Sequence, residues 1–354
     1  MNKQHHVKRR TLTRLAGIAV SLGLMTASLT GCVSDNSDPH RVAVIISGVA
    51  SVSPFTTPDQ PCTEGQSAGA TDSFIRDYLE NESIQVFTAP VMAGPGQVPS
   101  ELPQDKGGPF GNCPEQLPAE LTVDSTNSVD TAGKNLSAFI SYVHEKYGVR
   151  QVDLIAHSLG GIFTRNAIRE LQSHNSPVEV MTLTTIGSPW ESPIMANTSS
   201  DPVQACDGFE LCEGFMEELV AIPSINNILN FLAPESINQW TQEQTGVLDN
   251  IPVTLIAGTY FSKVAGNSAK WPNDGFIQYS AATARNVPDS VLPFRACFTE
   301  PYTHSVYTSH FAGDAPDSAI TWNAQTGLII LNAIRTAHTT QQLTNRLGCP
   351  TPEK

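Results

Sequence analysis

Three features of the sequence predict an α/β fold built on a doubly wound, mostly parallel sheet of about six strands. Short apolar runs, each the length of a buried strand, alternate with segments of helical periodicity. One of these runs passes through a turn of small residues directly into a helix. The chain has 354 residues, of which 40% are hydrophobic, so it can bury a substantial core.

The apolar runs are interpreted as strands and the periodic segments between them as helices. Predicted strands cover 42–46, 84–87, 152–156, 180–185, 253–257 and 294–298. Predicted helices cover 71–80, 129–147, 162–171, 277–284 and a long C-terminal segment, 319–347. Two stretches interrupt this alternation: 90–118 is rich in Pro and Gly, which indicates an irregular surface excursion, and about 190–250 is an insertion with acidic and apolar helical segments.

The charge of the chain excludes one class of partner. The net charge is −14, with 20 basic and 34 acidic residues, and five of the basic residues fall within positions 1–31. Binding to a phosphate backbone depends on Lys and Arg displacing counterions. We therefore predict no nucleic-acid partner.

The first 31 residues predict a signal peptide. The basic residues 8–10 precede an apolar run over 15–25, which is shorter than the segment of about 20 apolar residues that a membrane-spanning helix needs. The sequence 29–32, Leu-Thr-Gly-Cys, resembles the bacterial lipobox, whose cysteine is lipidated and becomes the first residue of the mature chain. We expect Cys32 to tether the protein to the outside of a bacterial membrane. The alternative is an ordinary cleaved signal, and general or twin-arginine export both remain open.

The expected domain organisation follows from this signal. Residues 1–31 are the signal peptide, 32–41 the tether, and 42–354 the folded domain with its insertion. With Cys32 lipidated, an even number of cysteines remains in an oxidising compartment. Pairing along the chain is favoured: Cys62 with Cys113, Cys206 with Cys212, and Cys297 with Cys349. A zinc site is the alternative, but no metal-ligand spacing supports it, and we predict no metal.

The chemistry centres on 152–161, Val-Asp-Leu-Ile-Ala-His-Ser-Leu-Gly-Gly. A buried strand, a tight turn and a helix in this order are typical of a nucleophile elbow. The turn needs small residues two positions before and after the nucleophile, and Ala156 and Gly160 meet that need. Ser158 is therefore the predicted nucleophile, and the backbone N–H of Leu159 is a predicted oxyanion donor.

Ser67 is a competing nucleophile, because Gly65-Gln-Ser67-Ala-Gly69 fits the Gly-x-Ser-x-Gly pattern literally. The residues before it include Pro54, Pro58 and Pro61, which do not suit the central strand that an elbow requires. We therefore prefer Ser158. His157 lies beside it, with a side chain expected to point away and to pack.

The acid and the base of a triad are expected after later strands, in the order Ser, acid, His. Asp274 follows the predicted strand 253–257 and is the predicted acid; its other interpretation is a turn or a helix cap. His304 follows the strand 294–298 and is the predicted base, with His310 as its rival. Asp249 precedes its strand and so lies at the wrong end of the sheet.

The loop after the first predicted strand normally supplies the second oxyanion donor. Here the backbone N–H of Val49 is the predicted donor.

With these motifs in place, the chain resembles bacterial lipases and esterases of the α/β-hydrolase superfamily from about residue 42 onward. The match is most specific over 156–161, while 186–190 resembles the Gly-Thr-Pro-His segment of many lipases and 273–275 their acid loop. The chain departs from the family at Ser47-Gly48, where lipases usually have His-Gly. The resemblance implies acyl-enzyme chemistry, no cofactor, and a cap or lid formed by the insertion.

Three functions fit these observations. The first is a carboxylester hydrolase acting on lipid or other acyl esters at the cell envelope, with medium or long acyl chains preferred. The second is an acyltransferase that passes the same acyl group to an envelope alcohol. The third is a non-catalytic surface lipoprotein, which would have no need of a nucleophile elbow. The sequence does not predict an oligomeric state.

The lipobox resemblance makes one direct prediction. The variant Cys32→Ser should lose lipid attachment, because only the cysteine thiol carries the lipid, and the protein should be released or remain unprocessed. Mass spectrometry of the mature N-terminus measures this. An unmodified N-terminus downstream of Cys32 in the wild type would contradict the prediction.

Overall fold

A sheet of parallel strands forms the centre of the structure. The computed structural model describes residues 40–60, 73–99, 115–194, 206, 208–262, 270–337 and 346–351. The strands of this sheet are β1 (Arg41–Ile46), β2 (Val86–Thr88), β5 (Gln151–His157), β6 (Glu179–Ile186), β7 (Val253–Gly258), β8 (Arg295–Glu300) and β9 (Arg346–Leu347). A separate parallel pair consists of β3 (Val91–Met92) and β4 (Val123–Asp124).

The helices occupy the connections between the strands. They are α1 (Phe74–Asn81), α2 (Val129–Tyr147), α3 (Gly160–Ser173), α4 (Glu210–Val220), α5 (Asn226–Leu232), α6 (Pro234–Glu243), α7 (Tyr279–Ala282), α8 (Val306–Ala312) and α9 (Ala324–Thr336). Short 3-10 turns lie at Ala119–Leu121 and Pro316–Ser318. Among the described residues, no helix has the length and apolar character needed to cross a bilayer.

The strand order is β2-β1-β5-β6-β7-β8-β9, with every neighbouring pair parallel. The chain winds outward from β1 in both directions, so helices cover both faces of the sheet. This is the α/β-hydrolase fold, and the predicted fold class is confirmed. Six of the strands are those that the sequence predicts, and the seventh is the two-residue β9 at the edge.

Side chains of the central strands alternate between the two faces. Val42, Val44 and Ile46 of β1 belong to one buried cluster, together with residues of α2 and α3. Ala43 and Ile45 belong to the other, together with residues of α1 and α9. A strand with apolar side chains on both faces can lie only inside a sheet that is covered on both sides.

Helix α2 has the boundaries that the sequence predicts because both of its ends are encoded locally. The Ser128 side chain accepts a hydrogen bond from the backbone N–H of Thr131 at 3.1 Å, which caps the first turn. Gly148 then ends the helix in a left-handed conformation, with φ of 71°.

The long helix predicted over 319–347 is wrong in its extent. Helix α9 begins after Asn323, whose side chain caps it, and ends at Thr336. The chain then supplies β9, which pairs with β8 at the edge of the sheet. A disulfide between Cys297 of β8 and Cys349 also joins this segment to the sheet edge.

Two of the three disulfides expected along the chain are present. Cys206 is bonded to Cys212 and Cys297 to Cys349. Cys62 and Cys113 lie outside the described residues, as does the N-terminal segment with Cys32. The excursion over 90–118 also differs in part from its prediction, because its start forms β3 and pairs with β4.

A buried carboxylate links three adjacent strands. Asp153 of β5 accepts hydrogen bonds from Nε and Nη2 of Arg41 on β1, each at 2.7 Å. It also accepts one from the hydroxyl of Thr182 on β6, at 2.7 Å. Its side chain is 1% exposed, so solvent cannot replace these partners.

The variant Asp153→Ala should lower the free energy of unfolding by about 3 kcal/mol, because it removes the charged partner of a largely buried guanidinium. The matched control is Glu82→Ala, which breaks the exposed ion pair with Arg335 and should cost less than about 1 kcal/mol. Urea denaturation measures both changes. An equal loss of unfolding free energy in the two variants would show that the buried ion pair contributes no more to stability than the exposed one.

Candidate active site

The turn after β5 holds Ser158 in a strained backbone conformation. Ser158 has a φ of 53°, in the left-handed region that few residues other than glycine adopt. Its backbone N–H donates to the carbonyl of Ile186 at 2.9 Å, and helix α3 begins two residues later. The strand, the strained serine and the helix together form the geometry of a nucleophile elbow.

The loop after β1 lies directly against this serine. A Cβ built on Gly48 would lie 2.5 Å from Cβ of Ser158 and 3.1 Å from its Oγ, so only glycine fits at this position. The hydroxyl groups of Ser47 and Ser53 are hydrogen-bonded at 2.8 Å within the same loop. Val49 follows Gly48, and its assignment as an oxyanion donor stays a prediction, as does that of Leu159.

Asp274 and His304 form a buried pair. The Nδ1–H of His304 donates to Oδ2 of Asp274 at 2.7 Å, since a carboxylate can only accept. Neutral His304 therefore keeps its lone pair on Nε2. The two side chains are 5% and 1% exposed.

Backbone groups hold the carboxylate in place. Oδ1 of Asp274 accepts from the backbone N–H of Phe276 at 3.0 Å and of Ile277 at 2.8 Å. The backbone N–H of His304 also donates to the carbonyl of Asp274, at 2.7 Å. The turn that the sequence offered as an alternative role for Asp274 is thus present, and it orients the same carboxylate that faces His304.

The carboxyl edge of the sheet brings these groups together. Gly187 directly follows Ile186, the last residue of β6, whose carbonyl accepts the hydrogen bond from the backbone N–H of Ser158. A Cβ on Gly187 would lie 2.8 Å from Oδ2 of Asp274 and 3.0 Å from Nδ1 of His304. The nucleophile turn and the acid–base pair therefore border the same strand end.

An aromatic contact links the insertion to a residue beside His304. The ring of Phe276 lies against that of His304, with centroids 5.2 Å apart, and the ring of Phe215 on α4 lies 4.3 Å from that of Phe276. Glu218, three residues further along α4, accepts a hydrogen bond from the hydroxyl of Tyr307 at 2.9 Å. Burial and this carboxylate raise the pKa of Tyr307.

The rival residues are placed differently. His310 is exposed on α8, where its ring contacts that of Phe311. Asp249 is exposed before β7. Ser67 lies outside the described residues.

His157 does more than pack, which the sequence analysis missed. Its ring is buried, and its Nε2 lies 2.9 Å from the carbonyl oxygen of His304. The position directly before the nucleophile was visible in the sequence, but no spacing pattern indicates a bond between residues 147 positions apart. Within the described residues, no cluster of three or more His, Cys, Asp or Glu side chains has a geometry that could hold a metal ion.

Comparison with known proteins gives a local family match and distant structural likenesses. Residues 119–198 match the family described as "Putative serine esterase (DUF676)". This segment contains Ser158 but neither Asp274 nor His304, and it supports a hydrolase. No curated protein matches the chain.

Among solved structures, the chain is similar to the lipase BlEst2 of Bacillus licheniformis in its mature form, with 13% identity, 84% of this chain and 92% of that chain covered, and a TM-score of 0.49. For the propeptide form of the same lipase, the identity is 14%, 76% of this chain and 47% of that chain are covered, and the TM-score is 0.45. This chain therefore spans about half the length of the propeptide form. For the esterase Pf2001 of Pyrococcus furiosus, the identity is 12%, 83% of each chain is covered, and the TM-score is 0.40.

The crowding at Gly187 makes a prediction about the acid–base pair. Gly187→Ala should displace Asp274 or His304, and the downfield proton signal of the hydrogen bond between them should move or vanish in NMR spectra. The free energy of unfolding should fall by more than the cost of about 1–2 kcal/mol for a left-handed backbone alone.

Gly148→Ala is the matched control. Gly148 also has a positive φ, of 71°, but a Cβ there meets nothing within 4 Å. In this variant the free energy of unfolding should fall only by the cost of the left-handed backbone, and the NMR signal should not change. The same signal in Gly187→Ala as in the wild type would contradict the geometry described above.

Proposed function

We propose that this protein is a serine carboxylester hydrolase that uses Ser158, Asp274 and His304 through an acyl-enzyme. The observation that carries the proposal is the hydrogen-bonded pair of Asp274 and His304 at the sheet edge where Ser158 lies in its strained turn. A nucleophilic serine needs a base to accept its proton and an acid to orient that base. The match of residues 119–198 to a serine esterase family supports the same chemistry.

In the proposed reaction, Oγ of Ser158 attacks the ester carbonyl while Nε2 of His304 accepts the hydroxyl proton. Asp274 stabilises the resulting imidazolium through Nδ1. The backbone N–H groups of Leu159 and Val49 donate to the oxyanion. His304 then gives its proton to the leaving alcohol, and water repeats the sequence to release the acid.

The proposed function also includes the cellular location of the protein and a role for its insertion. Residues 1–31 direct export, and Cys32 anchors the chain to the outside of a bacterial membrane. The tether after Cys32 is shorter than the predicted 32–41, because Arg41 is the first residue of β1. The insertion over about 190–250 acts as a lid on an acyl pocket. The contact between Phe215 of the insertion and Phe276 supports this assignment, because the ring of Phe276 in turn lies against that of the proposed base, His304.

The triad is tested with a fluorophosphonate probe and an ester substrate. The probe should label the wild type and spare Ser158→Ala, because the covalent bond forms on Oγ. Asp274→Ala and His304→Ala should reduce turnover by several orders of magnitude, since the members of a triad act as a unit.

Matched controls are Ser67→Ala and His310→Ala, which should keep both labelling and turnover. Labelling that survives in Ser158→Ala and disappears in Ser67→Ala would refute the nucleophile. Activity lost in His310→Ala and kept in His304→Ala would refute the base.

The acyl chain is tested with p-nitrophenyl esters from acetate to palmitate, using protein that lacks residues 1–32. Medium or long chains should be preferred, because the proposed pocket is bordered by apolar side chains of α4. Phe215→Ala should reduce catalytic efficiency more for long chains than for acetate.

The control for the chain-length series is Phe231→Ala, whose ring contacts Trp240 instead of Phe276 and which should leave the preference unchanged. A catalytic efficiency that falls steadily from acetate to palmitate in the wild type would show a short-chain esterase. In that case the insertion only packs on the core.

A further inference from the structure

His157 joins the strand that carries the nucleophile to the segment that carries the proposed base. It is the last residue of β5, directly before Ser158, and it is 5% exposed. Its Nε2 lies 2.9 Å from the carbonyl oxygen of His304. The two imidazole rings also contact each other, with centroids 4.5 Å apart and planes tilted by 43°.

The partners of His157 fix its protonation state. A carbonyl oxygen only accepts, so Nε2 carries the proton and donates it. Nδ1 is buried and has no hydrogen-bond partner in the described part of the chain, so a proton there would lack an acceptor. Burial, and then the neighbouring His304, lower the pKa of His157 well below its usual value, which keeps the ring neutral near pH 7.

The segment around His304 belongs to neither a strand nor a helix, so the backbone groups of His304 bond to partners outside any regular element. Strand β8 ends at Glu300 and helix α8 begins at Val306. On one side, the backbone N–H of His304 donates to the carbonyl of Asp274. On the other side, its carbonyl accepts from His157, so the residue is tied to the acid loop and to the nucleophile strand.

We propose that His157 is a positioning residue: its Nε2–H holds the main chain of His304, and so sets the position of that imidazole relative to Ser158. It touches neither substrate nor the transferred proton. The inference rests on the proposed function for its catalytic consequence, while the bond itself stands on geometry alone. A second cation beside His304 would oppose formation of its imidazolium, so the neutral ring also suits the proposed reaction.

Two substitutions distinguish the effect of the Nε2–H donor from the effect of the shape of the ring. His157→Phe keeps a flat ring and loses the N–H, whereas His157→Gln keeps an amide N–H of similar reach. We expect His157→Phe to lower kcat about 10- to 100-fold, the effect of a misplaced catalytic group, with little change in KM. His157→Gln should restore most of the loss. Equal kcat in the wild type and His157→Phe, at equal Tm, would overturn the proposal.

A measurement on the wild-type protein does not depend on either variant folding. In NMR spectra of protein with ¹⁵N-labelled histidine, His157 should be neutral with its proton on Nε2. It should remain so as the pH is lowered while the protein stays folded. A proton on Nδ1, or titration near the usual pKa of histidine, would overturn the proposal.

The two ideas fail in different ways. If the wild type neither hydrolyses esters nor reacts with a fluorophosphonate, the proposed function fails, and the NMR measurement still decides whether the bond exists. If Ser158 reacts but His157 carries its proton on Nδ1, only the positioning role fails.

Discussion

The parallel pairing of β5 with β1 and β6 is the constraint on which the rest of the structure depends. It fixes the three strand ends that surround Ser158, because the carboxyl ends of parallel strands meet at one edge. The left-handed serine is tied to this edge by the bond from its backbone N–H to Ile186. The ion pair of Asp153 with Arg41, and the hydroxyl of Thr182, strengthen the same three strands from within.

Backbone contacts, more than side-chain contacts, hold the candidate site. Asp274 is oriented by two backbone N–H groups, and His304 is linked to it through main chain as well as side chain. Glycines at positions 48 and 187 let neighbouring backbone approach the reacting groups closely. Moving any one of these groups therefore requires a strand end or a turn to move with it.

The insertion is attached to the core by a buried cation. The guanidinium of Arg165 on α3 lies 4.2 Å from the ring centre of Trp190 and 4.5 Å from that of Trp240. Burial lowers the pKa of Arg165 to about 9. These two tryptophans lie near the two ends of the insertion. The stacking therefore ties the insertion to the helix that follows Ser158 at two places, one on each side of α4 in the sequence.

The sequence by itself determined the elements whose signals are local. The apolar runs predicted the six longer strands of the sheet, the periodic segment 129–147 predicted α2, and small residues around Ser158 predicted the elbow. It also selected Asp274 and His304 from their order after strands, and the structure brings those two residues together. Their catalytic roles remain proposals.

Only the tertiary structure decided the features that depend on contacts distant in sequence. The C-terminal strand β9 pairs with β8 beside the disulfide between Cys297 and Cys349, whereas the local pattern favoured a longer helix. The bond from His157 to His304 spans 147 positions, and periodicity carries no information about such a distance. Local propensity depends on neighbouring residues, while hydrogen bonds, disulfides and close approaches of backbone depend on which strand ends the folded sheet places side by side.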